Sequence, residues 1–128
     1  MEECNLPITT VDGLTLKEMF LSGAALLDKN RQAVDALNVF PVPDGDTGTN
    51  MSQTILSAAR ELGSRSFSGA GDVASTVAKG ALKGARGNSG VILSQILRGI
   101  AKALEGSDIM DAPLFAKAMR LGADTAYK

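Results

Sequence analysis

An all-α fold is what this sequence predicts, and three observations predict it. Apolar residues recur at three- and four-residue spacings along most of the 128 residues, the period of a helix with one buried face. Capping residues and glycines punctuate those periodic stretches where helices would start and stop. The only plausible extended segment is short, residues 39–42.

The elements follow in order. Thr15-Leu-Lys-Glu18 reads as a capping box, with Leu14 and Met19 placed for a hydrophobic staple. Leu16, Phe20, Ala24 and Leu27 then mark a first helix running to about Asp28, with a short helix over residues 31–37 next. Beyond a Pro-rich turn, Met51, Ile55, Ala58 and Leu62 form another stripe that ends near Gly63. Residues 64–71 read as a small-residue loop, and Asp72 as the N-cap of a helix carrying Val73, Val77, Ala81 and Leu82. A glycine-rich segment interrupts at residues 84–90. Asn88 or Ser89 opens the next helix, with Val91, Gln95, Ile96, Ile100 and Ala103 on its stripe. Asp111 caps a last helix that tolerates Pro113 in its first turn and carries Leu114, Ala118 and Leu121. The methionines at helical spacing, and Gln95 with Arg98, read as structural. The last pattern still runs at Lys128 without a glycine or proline stop. The expectation is therefore a piece of a longer protein, or a domain short of its final helices. Residues 1–13 read as a tail and 14–128 as one domain.

Composition bounds the function. With 45% apolar residues and a net charge of −1, the chain suits a globular domain and gives no reason to expect nucleic-acid binding. Aromatics are 4% and Trp is absent, so base-stacking platforms are not expected. No apolar run reaches the roughly 18 residues of a membrane span. A single Cys4 permits no internal disulfide, and nothing at the N-terminus resembles a signal peptide. The expected compartment is the cytoplasm. His is absent altogether, which removes the commonest general base and every imidazole ligand.

Two motifs carry chemistry. The first is Asn38-Val-Phe-Pro-Val-Pro-Asp44-Gly-Asp46-Thr47-Gly48-Thr49-Asn50-Met51. Two carboxylates one residue apart sit on a Pro- and Gly-stiffened turn that runs into a helix start. Clustered oxygen donors on a restrained backbone are what a hard cation takes. Asn38, Asp44 and Asp46 are the candidate metal ligands, while Thr47, Gly48, Thr49 and Asn50 stand where phosphate or metal-bound water would meet a helix N-terminus. An ordinary Pro-Asp-Gly surface turn with a Thr N-cap is the competing explanation. The second motif is Gly84-Ala-Arg86-Gly87-Asn88-Ser89-Gly90. Its glycines let backbone N–H groups approach an anion at the following helix start. A plain glycine-rich connection competes with that reading, as a solvated Arg86 does with a phosphate clamp. Charge is distributed to match: only acids occur between Arg31 and Arg60, and only bases from Val73 to Leu104. Two solvated faces would produce the same count.

Together the two motifs, extended through Gln95 and followed by Gly122-Ala-Asp-Thr-Ala-Tyr127, resemble the DhaL-like kinase domain family. The resemblance is nearest to the N-terminal domains of fatty acid kinase A subunits. It implies an antiparallel helical barrel or bundle that binds ATP or ADP and two Mg²⁺ ions at one end. It makes Asp44 and Asp46 metal ligands and catalytic residues. It sets Thr47, Gly48, Thr49 and Asn50 beside the phosphates, and adds Gly87, Asn88, Ser89 and Gly90 from the glycine-rich loop. Asn38 stands where the dihydroxyacetone kinase branch has an Asp, and Thr47 where that branch often has a His. Both departures favour the fatty-acid branch. The implied partner is a separate fatty-acid-binding protein of the DegV type, and homodimerisation is compatible with the likeness. The implied reaction is phosphoryl transfer to a fatty acid carboxylate, giving an acyl phosphate. Dihydroxyacetone phosphorylation and a non-catalytic nucleotide-binding domain are the alternatives. The family's domain continues past Lys128, so this stretch alone is expected to bind nucleotide weakly and to catalyse little.

Overall fold

The computed structural model describes residues 9–37, 45–63 and 66–127. Six helices and one pair of three-residue strands make up the described fold: β1 (Thr10–Asp12), α1 (Gly13–Lys29), α2 (Arg31–Ala36), α3 (Thr47–Leu62), α4 (Ala70–Lys83), α5 (Gly87–Leu104), β2 (Ile109–Asp111) and α6 (Ala112–Tyr127). The all-α expectation holds. The strands pair antiparallel, with Val11 opposite Met110. They escaped the sequence reading because three residues carry no alternation to detect. The extended segment expected at residues 39–42 lies outside the described residues.

Each strand feeds straight into a helix through an Asp. The Asp12 carboxylate accepts the Thr15 N–H at 2.8 Å, and Asp111 accepts the Leu114 N–H at 2.9 Å. The second cap was expected and the first was not. Thr15 lies inside α1, so no Thr15–Glu18 box forms, and Leu14 and Met19 are 67% and 49% exposed rather than stapled. The extended backbone of β1 delivers Asp12 at ψ −179°, the conformation an N-cap needs, and Asp is a stronger cap than Thr.

Asp72 is likewise not an N-cap. α4 starts two residues earlier, behind Gly69, because backbone carbonyls cap it from outside. The Ala70 N–H donates to Asp108 O at 2.9 Å and the Gly71 N–H to Ser107 O at 2.8 Å. Asp72 sits in the first turn, where its charge complements the helix dipole and its carboxylate accepts the Ser68 N–H. α5 also opens earlier than expected, at Gly87 with Arg86 as N-cap.

The core is built mainly from small residues. Leu62, Leu104, Val73 and Val77 are the largest apolar side chains wholly inside, alongside Ala58, Ala70, Ala74 and Ala81. Four buried hydroxyls join them. Those of Thr54, Thr76 and Ser94 bond back to carbonyls of their own helices, the habit of Ser and Thr inside helices. Ser52 instead reaches Asp28 of α1 at 2.8 Å. Among the described residues no buried side-chain polar atom lacks a partner.

α3 packs against α1, α2, α4 and α5, and α6 lies along α5. Because α5 is covered from both sides, its interior set is Gly90, Ser94, Leu97, Gly99, Ala103 and Leu104. The single stripe expected through Val91 is wrong there, and Val91 is exposed. Leu82, Met19 and Met119 also lie at the surface, while Met110 is buried. Arg98 pairs with Gln95 at the surface.

Leu104 and Leu82 separate the two patterns experimentally. Leu104→Ala should cost about 2–5 kcal/mol of unfolding free energy in urea melts. Leu82→Ala, at 61% exposure, should stay within about 0.5 kcal/mol.

Candidate functional site

The first turn of α3 is held by α2. Gly48 makes this possible, since a Cβ there would overlap the Arg31 carbonyl oxygen and come within 2.9 Å of Val34 Cβ. With α2 this close, Asp35 grips Thr49 with both oxygens. The Thr49 N–H donates to Oδ1 at 2.8 Å and its hydroxyl to Oδ2 at 2.6 Å. These bonds, the hydroxyl's first, hold the Asp35 carboxyl below its ordinary value. Asp35 therefore supplies the charge that α3's N-terminus attracts. Its role was not foreseen, because nothing in the sequence ties it to a residue 14 positions away. The only signal was its place in an acid-only stretch.

Asp46 is the N-cap of α3, exposed, and its carbonyl accepts the Asn50 N–H at 2.9 Å. Gly45 precedes it at φ +67°, a left-handed conformation that glycine adopts without steric cost. Thr47 opens the helix and is half-buried. The competing Thr N-cap reading does not apply, since neither Thr47 nor Thr49 is the N-cap.

The glycine-rich loop meets this helix one turn further on. Thr54 Oγ1 donates to the Asn50 carbonyl at 2.8 Å and accepts the Arg86 N–H at 3.1 Å. That two-step link ties the start of α5 to α3. Gly87 follows at φ +66°, and a Cβ on it would run into the Asn50 side-chain amide. Its conformation favours glycine, and a side chain would also have to displace the Asn50 amide. Gly90 is buried against Thr54 Oγ1 in the same way. No side chain caps α5; Asn88 is exposed and Ser89 half-buried at its opening.

The two motifs thus meet at one end of the molecule. Asn50 stands against Gly87, and Gly90 follows through Thr54. Gly48 and Thr49 turn the other way, toward α2. Asn38 and Asp44 lie outside the described residues. Among those described, no group of three or more Asp, Glu, Cys or His is placed to hold a metal. Asp46 does have the donor chemistry a hard cation takes, an anionic oxygen at the surface.

Comparison with known proteins places the stretch. Residues 41–128 match the family model described as DAK2 domain, which takes in α3 to α6 and both helix starts. Protein YloV of Bacillus subtilis strain 168 is 54% identical over 123 residues, covering 96% of this chain and 22% of that protein. An uncharacterized protein of Staphylococcus saprophyticus is 46% identical over 121 residues, covering 94% of this chain and 22% of its own length. One from Staphylococcus aureus strain USA300 is 45% identical with the same coverage. The chain spans about a fifth of the length of these curated relatives.

Asp35 offers a pH test. Its folded pKa is depressed, so its stabilising effect is present above the ordinary carboxylate value of 3.8 and is lost as pH falls through the lowered one. In Thr49→Val, carbon-detected NMR should find the Asp35 carboxyl titrating closer to 3.8. The acid limb of the stability curve should flatten accordingly.

Proposed function

The chain belongs to the DAK2 domain family, a kinase-related group of nucleotide-binding domains, and from that premise we propose that it forms the ATP-binding part of a kinase. In this reading the phosphoryl acceptor is a fatty acid carboxylate, presented by a separate fatty-acid-binding protein, and the product is an acyl phosphate. One observation carries it: the close stacking of Gly87 on Asn50, which sets the openings of α3 and α5 side by side.

The two openings are not alike. The start of α3 is already neutralised by Asp35, whereas α5 opens without a side-chain cap. Phosphate oxygens therefore belong at residues 87–90, where glycine permits backbone N–H groups to approach and the dipole favours negative charge. Asn50, Asn88 and Ser89 flank that cradle with amide and hydroxyl donors. Thr47 opens the adjoining helix turn, and Gly48 and Thr49 hold that turn in position against α2, Thr49 through Asp35.

Asp46, with Asp44 and Asn38, would hold Mg²⁺, and the donor set is the all-oxygen type that ion prefers. When bound, Mg²⁺ neutralises phosphate charge and orients the transferring group. The chain's own contribution is alignment, and it needs no general base. A carboxylate acceptor is already ionised near neutral pH, which suits a chain without His. A cytoplasmic setting, where ATP is supplied, belongs to the same proposal.

Thermal shift with Mg-ATP tests the nucleotide part. Ligand at about 100 times its dissociation constant should add roughly 2.7 kcal/mol of stability. Gly87→Ala and Asp46→Asn should each remove most of that gain, read against each variant's own ligand-free melting temperature. The acceptor is tested in the full-length protein, offering oleate with its carrier against dihydroxyacetone with its own. Acyl phosphate formation is expected. Turnover of dihydroxyacetone alone would assign the sister activity, and none in either case would leave a nucleotide-binding domain without catalysis.

A further inference from the structure

Along α3, Gln53, Leu56, Ser57 and Arg60 lie on one face, and the connection into α5 lays Gly84 and Arg86 over them. Together they enclose a recess of about 250 Å³. Two arginines are among the residues that line it, and no acid is. The nearest acid along the helix, Glu61, is engaged by Lys83 at 3.6 Å. Among the described residues neither Arg60 nor Arg86 has an ion-pair partner. The Ser57 hydroxyl is committed to the Gly80 carbonyl at 2.8 Å, so the side-chain donors that the lining residues still offer are the two guanidiniums and the Gln53 amide.

Like charges held in one recess repel, and an oxoanion between them turns that repulsion into attraction. Guanidinium presents paired N–H groups at the spacing of carboxylate or phosphate oxygens, so Arg suits such a ligand better than Lys. The position of the recess also matters. Arg86 directly precedes Gly87, and Gln53 lies less than one helical turn beyond Asn50, the residue on which Gly87 stacks. At 1.5 Å per residue, the stretch from Gln53 to Arg60 extends about 10 Å along α3 from the junction.

We propose that Arg60, Arg86 and Gln53 form an oxoanion subsite that adjoins the α3–α5 junction and takes a carboxylate or phosphate group. Its use in a reaction rests on the phosphoryl-transfer reading above; its ability to bind an oxoanion does not. Phosphoryl transfer to a carboxylate brings two anions together, and fixed positive charge beside the cradle reduces their mutual repulsion. The Arg86 backbone N–H, which ties the loop to Thr54, is untouched by a change of side chain. The subsite can therefore be altered without releasing the junction.

The test is a nitrogen-detected NMR titration of the Arg Nε–Hε and Gln53 amide signals in this chain at constant ionic strength. Inorganic phosphate, hexanoate and adenosine are the probes. Arg60, Arg86 and Gln53 signals should move together and saturate with phosphate or with hexanoate. Arg60→Gln and Arg86→Gln should each weaken that binding about tenfold, the loss expected for one charge-assisted contact. Saturation by phosphate alone assigns the subsite to a phosphate group, and saturation by hexanoate alone to the acceptor carboxylate. Movement with adenosine only, no saturable movement, or identical titrations in both variants would overturn the proposal. Asp46→Asn should leave the oxoanion titration intact even where it abolishes the Mg-ATP shift, so failure of one reading is distinguishable from failure of the other.

Discussion

The link from the Arg86 N–H through Thr54 Oγ1 to the Asn50 carbonyl is the constraint on which the candidate site depends. It is short, specific and made largely of main chain. It joins two helix openings that lie almost forty positions apart in sequence. The architecture permits the meeting because α4 returns antiparallel between α3 and α5, so those two helices start at the same end. The opposite end is closed by the strand pair and by the carbonyls of Ser107 and Asp108 on the start of α4. α1 connects the two ends. It begins where Gly13 presses on Gly69 and finishes with Asp28 bonded to Ser52, near the start of α3.

Placing two helix N-termini side by side concentrates partial positive charge, and the fold treats the two differently. Asp35 neutralises the start of α3 with a two-pronged carboxylate grip, and the depressed pKa of that carboxyl is the same interaction seen from the proton's side. α5 receives no such cap. An anion entering this end would find one opening already satisfied and the other still seeking charge. Asp35 is thereby a structural residue with an electrostatic consequence, since it directs where a phosphate would settle.

Much of this was legible in the sequence. The helices followed from apolar spacing, the Asp111 cap from its place before Pro113, and the pairing of both glycine- and acid-bearing motifs from their chemistry. The misread helix caps share one cause, capping supplied from a distance or from an unexpected neighbour. Thr15 looked like a cap because the strand that delivers Asp12 was too short to detect. Asp72 looked like one because carbonyls more than thirty residues away do that work for α4. The stripe on α5 was misplaced because a helix covered on two sides has no single buried face. Asp35 was invisible as a site residue for the same reason as the Ser107 carbonyl: local pattern does not encode which distant donor a group will meet. Of the expected metal ligands, Asp46 is positioned on α3, while Asn38 and Asp44 fall outside the described residues.

A site composed of backbone N–H groups and glycines has no long side chains to adjust if its walls shift. Its precision must come from the scaffold, and the core here is suited to provide it. Ala58, Ala70, Ala74, Ala81, Ser52, Thr54 and Ser94 fill the interior where larger proteins would use Leu or Phe. Small residues bring helix axes close and leave few rotamers through which a helix could slide. Gly80 against Ala58 and Gly99 against Gly122 carry the same economy into the α3–α4 and α5–α6 contacts. The buried hydroxyls add stiffness without volume, since most bond within their own helix and Thr54 also fastens the loop. Close packing through these small residues holds the Asn50–Gly87 contact in place, and a main-chain cradle for an anion needs walls held to within about 0.5 Å.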